Sequence, residues 1–101
     1  MIVHQREISY GENYSEVFDT LLKAKAYIEK KYPKISVEIM YNLAGQRGRA
    51  TIQTRYASLA DYERIDAELD NDEEYSKLLK SIMSATGDLP VDQFYRVIKS
   101  A

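Results

Sequence analysis

Two alternating runs separated by a short glycine-containing loop constrain the fold of this chain more than any other feature. In residues 35–43 the side chains of Ile, Val, Ile, Tyr and Leu share one face, and Ser, Glu, Met and Asn share the other. Residues 49–57 alternate again, after Gly45 and Gly48. Period-2 alternation is typical of a strand with one buried face, and a short loop containing glycine joins such strands into an antiparallel hairpin. We therefore expect a β-hairpin at the centre of the chain.

An amphipathic helix is predicted before the hairpin, between residues 13 and 32. Apolar side chains recur there at spacings of three and four from Val17 to Ile28. Asn13 and the acid three residues later form a capping-box-like start, and Pro33 disfavours helical geometry at Tyr32. Lysines gather around the end of this helix, where cations complement the helix dipole; they are Lys23, Lys25, Lys30, Lys31 and Lys34.

A second helical segment follows the hairpin and is interrupted once. Ser58 begins it with a capping signal, but the apolar period breaks at Asn71 and Asp72, where the following acids suit a new helix start. The apolar stripe then continues to Thr86, and Gly87 is expected to be the residue that terminates the helix.

The remaining segments complete a single-domain topology. Residues 2–10 and the short apolar run 94–98 are predicted to be strands. The order β-α-β-β-α-β is that of the ferredoxin-like α+β fold. We expect one domain over residues 1–101, with four strands in one antiparallel sheet and both helices on one face.

The open face of that sheet is the most informative surface that the sequence predicts. With the apolar sides of the hairpin packed inward, its reverse is expected to present Glu38, Met40, Asn42, Thr51, Gln53 and Arg55. Such a face is either a solvated sheet or the interface with a second copy of the chain. A two-fold interface uses the same patch twice, so complementary charges on Glu38 and Arg55 suit it.

The first strand does not have a clean apolar face. His4 and Arg6 share a side with Ile2 and Ile8, while Val3 and Gln5 lie on the other side. Because burying an unpaired arginine is very costly, we expect His4 and Arg6 on the open face, with Val3 and Gln5 under the helices.

Composition excludes several kinds of site and partner. Cysteine is absent and His4 is the only histidine, which argues against disulfides, thiolate chemistry and a histidine-rich metal site; no cofactor or metal is expected. The formal net charge is −2, so we expect no nucleic-acid partner. The glycines at 45 and 48 join two strands, unlike a nucleic-acid-binding GXXG loop. No signal peptide or membrane-spanning run is visible, and we expect a cytoplasmic protein with no membrane contact.

One segment of the chain resembles a known family. The run from Arg55 to Glu63, RYASLADYE, is followed by Leu69 and by residues 72–75, DEEY. It resembles the NIPSNAP-type proteins of the dimeric α+β barrel superfamily, in which a strand leads into a Ser-Leu-Ala-Asp helix start and a short break precedes an Asp-Pro-Glu-Trp-like restart. Tyr75 stands here in place of the tryptophan.

The first strand carries a weaker part of the same resemblance. The run His4-Gln5-Arg6 is similar to the family's first strand, although His4 occupies a position that is acidic in the family. The resemblance implies a homodimer whose two sheets close around a small-molecule pocket. Relatives on this scaffold include cofactor-independent monooxygenases, isomerases and haem-degrading enzymes. The last class is disfavoured, because tryptophan is absent and the histidine lies on a strand.

The candidate chemistry follows from the polar groups expected on the open face. Imidazole titrates near neutral pH, so His4 is a candidate base. Arg6 and Arg55 are candidates for holding a carboxylate or enolate oxygen, and Glu38 is a second base or a partner for an arginine. Candidate ligand contacts are Met40, Asn42, Gln53 and Tyr95.

Three functions remain open from the sequence. The leading one is a NIPSNAP-like homodimer with a small-molecule pocket. The second is a cofactor-independent monooxygenase or isomerase. The third is a structural or regulatory interaction module without a pocket, in which the same polar groups form ion pairs between subunits or are solvated.

Overall fold

A computed structural model describes residues 1–44, 48–86 and 89–98. The elements of this part of the chain, in order, are β1 (Ile2–Ser9), α1 (Tyr14–Lys31), β2 (Val37–Tyr41), β3 (Arg49–Tyr56), α2 (Leu59–Asp70), α3 (Glu73–Thr86) and β4 (Val91–Arg96). The strands form one antiparallel sheet in the order β2-β3-β1-β4. The expected α+β ferredoxin-like plan is confirmed, with the second helical segment divided into α2 and α3.

The strand boundaries differ from the prediction at two places. The last strand was expected over residues 94–98, whereas β4 begins directly after Pro90 and leaves Ile98 outside, 92% exposed. The strand β2 is shorter than residues 35–43, because the Ile35 N–H donates to the Tyr32 carbonyl at 2.9 Å in the turn that follows α1. The predicted hairpin turn falls largely on residues 45–47, and both this segment and Gly87 lie outside the described residues.

The helix starts show how local sequence sets the elements. Ser58 Oγ accepts a hydrogen bond from the Asp61 N–H at 3.2 Å and caps α2. Asp72 Oδ1 accepts from the Tyr75 N–H at 3.0 Å at the start of α3. Asn13 makes no side-chain cap on α1, so the predicted capping box is wrong; its Nδ2 donates instead to the Ala85 carbonyl of α3 at 3.1 Å.

The core consists of two apolar clusters between the sheet and the helices. One contains Ile8, Val17, Leu21, Ala24, Ala50 and Ile82. The other contains Ile2, Tyr56, Ile65 and Leu69. Because successive side chains of a strand point to opposite faces, the presence of Ile2 and Ile8 in the two clusters places His4 and Arg6 on the helix-covered face between them.

The prediction for the faces of β1 is therefore wrong. His4 and Arg6 lie under the helices, and Val3 and Gln5 lie on the open face. The strand register aligns a row of polar side chains across that open face; from β2 to β4 it consists of Glu38, Gln53, Gln5 and Gln93. Within the described residues, none of the helices has the length and apolar character needed to cross a membrane.

Candidate functional site

A cavity of about 100 Å³ lies between the sheet and the helices, where the two core clusters meet. Its apolar lining includes Ile28, Leu69 and Ile82, one from each of the three helices. Its polar lining consists of His4, Arg6, Lys25, Thr54, Tyr56, Tyr62, Asp66 and Tyr75. Convergent polar groups in an otherwise apolar cavity are the usual mark of a small-molecule site, so we take this cavity as the candidate site.

An ion-pair cluster connects β1 and β4 at the edge of the cavity. The register places Arg6 directly opposite Asp92. Arg6 Nε donates to Asp92 Oδ1 at 2.7 Å and Nη2 donates to Oδ2 at 3.1 Å, a bidentate arrangement. The hydrogen bond from Arg6 holds the pKa of Asp92 below its usual value, and the same bond raises the pKa of Arg6. The arginine is therefore not an unpaired charge, which removes the objection to its position under the helices.

His4 is bound to the same carboxylate. Its Nε2 lies 3.0 Å from Asp92 Oδ1, and its side chain is 14% exposed. Since an ionised carboxylate only accepts hydrogen bonds, Nε2 must carry the proton and donate it. In the neutral imidazole the other nitrogen, Nδ1, then keeps its lone pair. A histidine whose far nitrogen is held by a carboxylate is a typical arrangement for a general base.

Two aromatic rings fix the orientation of the imidazole. Phe94 stacks on His4 with ring centroids 4.7 Å apart and an interplanar angle of 15°. The Tyr62 ring lies 5.7 Å from the imidazole centroid, and Phe94 and Tyr62 meet edge to face at 4.9 Å. The imidazole is thus held on β1 by a strand on one side and by α2 on the other.

Three tyrosines supply hydroxyl groups at the cavity. Burial is the largest cause that raises the pKa of Tyr56, Tyr62 and Tyr75 above the usual value for phenols. The charge of Arg6 opposes this effect at each of the three. These phenols are neutral near pH 7 and retain their protons, so each can donate a hydrogen bond to an oxygen on a ligand.

The other predicted site residues do not join His4 and Arg6. The sheet separates them, because strand alternation places Glu38, Met40, Gln53, Arg55 and Tyr95 on the opposite face. On that face Gln53 accepts a hydrogen bond from Gln5 Nε2 at 2.7 Å, and the Tyr95 hydroxyl donates to Gln93. Asn42 follows the end of β2, where its N–H donates to the Arg49 carbonyl at 3.3 Å.

Several site residues were missed from the sequence. Asp92 is the most important, and only the register of β4 against β1 brings it to His4 and Arg6. The sequence did contain a signal for the face of β1. His4 and Arg6 alternate in step with the strongly apolar Ile2 and Ile8, so all four side chains point to the same face. Tyr62 and Tyr75 were not among the predicted site residues, because helical periodicity alone does not say which sheet residues they meet.

Metal binding receives no support from the geometry. Within residues 1–44, 48–86 and 89–98, no group of three or more His, Asp or Glu side chains is arranged to hold a metal ion.

Comparison with solved structures identifies the fold. An uncharacterized NIPSNAP domain protein from Burkholderia xenovorans superposes with a TM-score of 0.81 at 13% identity, covering 100% of this chain and 96% of that one. A NIPSNAP family protein from Agrobacterium tumefaciens strain C58 gives 0.79 at 14% identity, covering 99% and 88%. A Caulobacter crescentus CB15 protein, provisionally assigned as an antibiotic biosynthesis monooxygenase, gives 0.79 at 11% identity, covering 97% and 90%.

Comparison of the sequence itself gives no match. No family model matches the chain, and no curated protein matches it. The solved structures therefore confirm the ferredoxin-like α+β fold of the single chain, and the chemistry rests on the residues of this chain.

Proposed function

We propose that this chain is a NIPSNAP-like homodimer that binds a small oxygen-bearing molecule in the cavity between the sheet and the helices. The observation that carries the proposal is the cluster of His4, Asp92 and Arg6 at the cavity edge. The His4 side chain is 14% exposed, is hydrogen-bonded to a carboxylate and lies against two aromatic rings, so its orientation is fixed.

The cavity volume restricts the class of ligand. About 100 Å³ lies below the roughly 300–1,000 Å³ of sites for drug-sized molecules. It is nearer to the ~150 Å³ cavities that admit a single benzene ring. Tyrosine hydroxyls and imidazole favour a carbonyl, enol or phenol oxygen on that ring. The proposed ligand is thus a single-ring ketone, enol or phenol.

A second candidate function is a cofactor-independent isomerase or monooxygenase. The contact between His4 Nε2 and Asp92 favours it, because in the neutral imidazole Nδ1 can accept a proton from an acidic C–H or O–H bond of the bound molecule. Asp92 would stabilise the imidazolium, and tyrosine hydroxyls would donate to the oxygen on which negative charge develops. The provisional assignment of the Caulobacter crescentus protein adds support from a similar fold.

The homodimer is proposed from the open face of the sheet. That face carries apolar Val3, Met40, Val91 and Tyr95 around the row of Glu38, Gln53, Gln5 and Gln93. Amide side chains both donate and accept hydrogen bonds, so the row is compatible with its own copy across a two-fold axis. In this arrangement Glu38 lies on the surface that mediates association between subunits.

The test of the cavity is an NMR titration with cyclohexanone and phenol, followed by α-proton exchange of cyclohexanone in D₂O. Binding is expected to shift amide resonances of Tyr62, Asp66 and Ile82. Catalysed exchange is expected in the wild type and lost in His4→Gln, while Glu63→Gln, on the exposed side of α2, retains it.

The outcomes separate the candidate functions. Binding without exchange supports a binding protein and contradicts the enzyme. Unchanged amide resonances with both ligands contradict the pocket and favour the interaction module. Equal exchange in the wild type and His4→Gln removes His4 from the chemistry.

A further inference from the structure

A second and larger concavity lies outside the candidate site, at one end of the sheet. It has a volume of about 610 Å³. The connection after α1, the end of β3 and the first turns of α2 form its walls. Its size falls within the roughly 300–1,000 Å³ range of small-molecule sites. We call it the end cleft.

The interior of the end cleft is apolar. Ile35, Tyr56 and Ile65 line it together with Pro33 and Ala57. Ile65 is only 3% exposed and Tyr56 only 8%, so these two are fixed by the core and form a preformed surface. An apolar chain or ring laid above them would cover the more exposed Pro33, Ile35 and Ala57 and remove that surface from water, which stabilises the complex.

The charged groups of the end cleft are mostly cations. Four cationic side chains line it, Lys31, Lys34, Arg55 and Arg64, against one carboxylate, Asp61. This balance is opposite in sign to that of the whole chain, whose formal net charge is −2. The lysines that the sequence placed around the end of α1 supply two of these four cations.

The four cations of the end cleft differ in whether they already lie near a carboxylate of this chain. Lys31 is bound to Asp72 at 2.6 Å, and Arg64 lies near Asp61 and Glu68 at 3.6 and 3.5 Å. Lys34 and Arg55 form no salt bridge with any carboxylate of the described residues. Arg55 Nη1 donates a hydrogen bond to the sulfur of Met1 at 3.8 Å. These two cations are available to an anion without breaking a pair.

We propose that the end cleft binds a small carboxylate with an apolar body, such as a medium-chain fatty acid. Lys34 and Arg55 hold the carboxylate, and the apolar body lies on Ile35, Tyr56 and Ile65. This inference is independent of the cavity beside His4. The two concavities share Tyr56, so a ligand in the end cleft contacts a residue that also lines the cavity.

The test is an amide NMR titration with octanoate, 1-octanol and acetate. Octanoate is expected to shift resonances of Ser36, Ala57 and Ile65. Acetate lacks the apolar body and 1-octanol lacks the charge, so both are expected to bind more weakly.

The variants Lys34→Gln and Arg55→Gln are each expected to lower the affinity for octanoate about two- to fivefold, the range for one solvent-accessible charge. Added salt is expected to lower the affinity for octanoate but not the affinity for 1-octanol, because salt screens the charges.

The control variant is Lys77→Gln, which removes an exposed cation of α3 outside the end cleft and is expected to leave the affinity unchanged. Lys34→Gln is the more informative variant, because Lys34 lies outside the sheet whose open face is proposed for dimerisation. A change in its affinity for octanoate therefore does not arise from a change in dimerisation. Three results would each overturn the proposal: no shifts at the end cleft up to the solubility of octanoate, equal affinity for 1-octanol, or unchanged affinity in both cleft variants.

Discussion

Asp92 decides the chemical character of the candidate site, since its carboxylate is hydrogen-bonded to both His4 and Arg6. Without this carboxylate, the arginine charge would lie partly buried without its ion-pair partner, and His4 Nε2 would lose its hydrogen bond to Asp92. One residue on the last strand therefore sets both the position of the arginine under the helices and the tautomer of the imidazole.

We expect Asp92→Asn to lower the free energy of unfolding by about 1–2 kcal/mol, because it weakens two charge-assisted hydrogen bonds that are partly exposed to solvent. Urea denaturation measures this change. Asp66→Asn is the control, since Asp66 forms no ion pair among the described residues. Equal stability of the two variants would contradict a structural role for the Asp92 cluster.

Asp72 gives a pH-dependent contribution to stability. It accepts hydrogen bonds from Lys31 Nζ, the Tyr27 hydroxyl and the Tyr75 N–H. These bonds, led by that from Lys31, hold the pKa of Asp72 below its usual value. Because the folded-state pKa is lowered, the stabilisation is complete above the unfolded pKa of about 4 and is lost as the pH falls below it.

Asp72→Asn isolates the charge, because asparagine retains a side-chain oxygen for the helix cap. We expect the variant to be less stable than the wild type between about pH 5 and 8, and the difference to shrink as the pH falls below about 4. Urea titrations at several pH values measure it. A difference that stays constant down to acidic pH would show that the charge of Asp72 is not the cause.

At the scale of elements, the helices and the central hairpin were predicted well, whereas the bounds of β4 and the face of β1 were not. Periodic apolar stripes and the signals at Ser58 and Asp72 are local, so the sequence alone indicates α2, α3 and the break between them. The strand β4 lies at the sheet edge with every side chain exposed, so it has no alternating pattern to detect. The face of β1 was misjudged because the partner of Arg6 lies 86 residues away in the sequence.

The cap of α2 provides a test at this scale. Ser58→Ala removes the acceptor for the Asp61 N–H and is expected to cost about 0.5–2 kcal/mol of stability. Ser81→Ala is a matched control within α3, where the hydroxyl only donates back to the Lys77 carbonyl; we expect a change within about 0.5 kcal/mol. Thermal or urea unfolding of both variants measures the difference, and equal losses would contradict the cap.

For the whole molecule, the sheet separates two surfaces with different proposed roles. The helix-covered side holds the candidate site, and the open side holds the surface proposed for association. The sequence indicated the ferredoxin-like plan, and its choice of His4 and Arg6 as site residues stays a prediction. It did not reveal that the sheet separates them from Glu38 and Arg55, because a one-residue change of register exchanges every side chain between the faces.

Association through the open face is tested with Gln5→Arg. Gln5 lies on the central strand β1, and residues near the centre of a two-fold interface approach their own copies. Like charges there oppose association, so we expect the wild type to sediment as a dimer at micromolar concentration and the variant to shift toward monomer. Glu63→Arg, on the exposed side of α2, is expected to remain dimeric. A monomeric wild type would contradict the proposed dimer.

The pairing of His4 with Asp92 also has a consequence for how the protein is made. The two residues are 88 positions apart, on the first and last strands, so His4 leaves the ribosome long before its carboxylate has been synthesised. Contacts of such long sequence separation form late in folding. A nascent chain can assemble α1 and the central hairpin earlier, but its imidazole gains a defined proton position only when β4 docks. Any activity of the cavity that depends on this pair therefore requires that synthesis has passed residue 92.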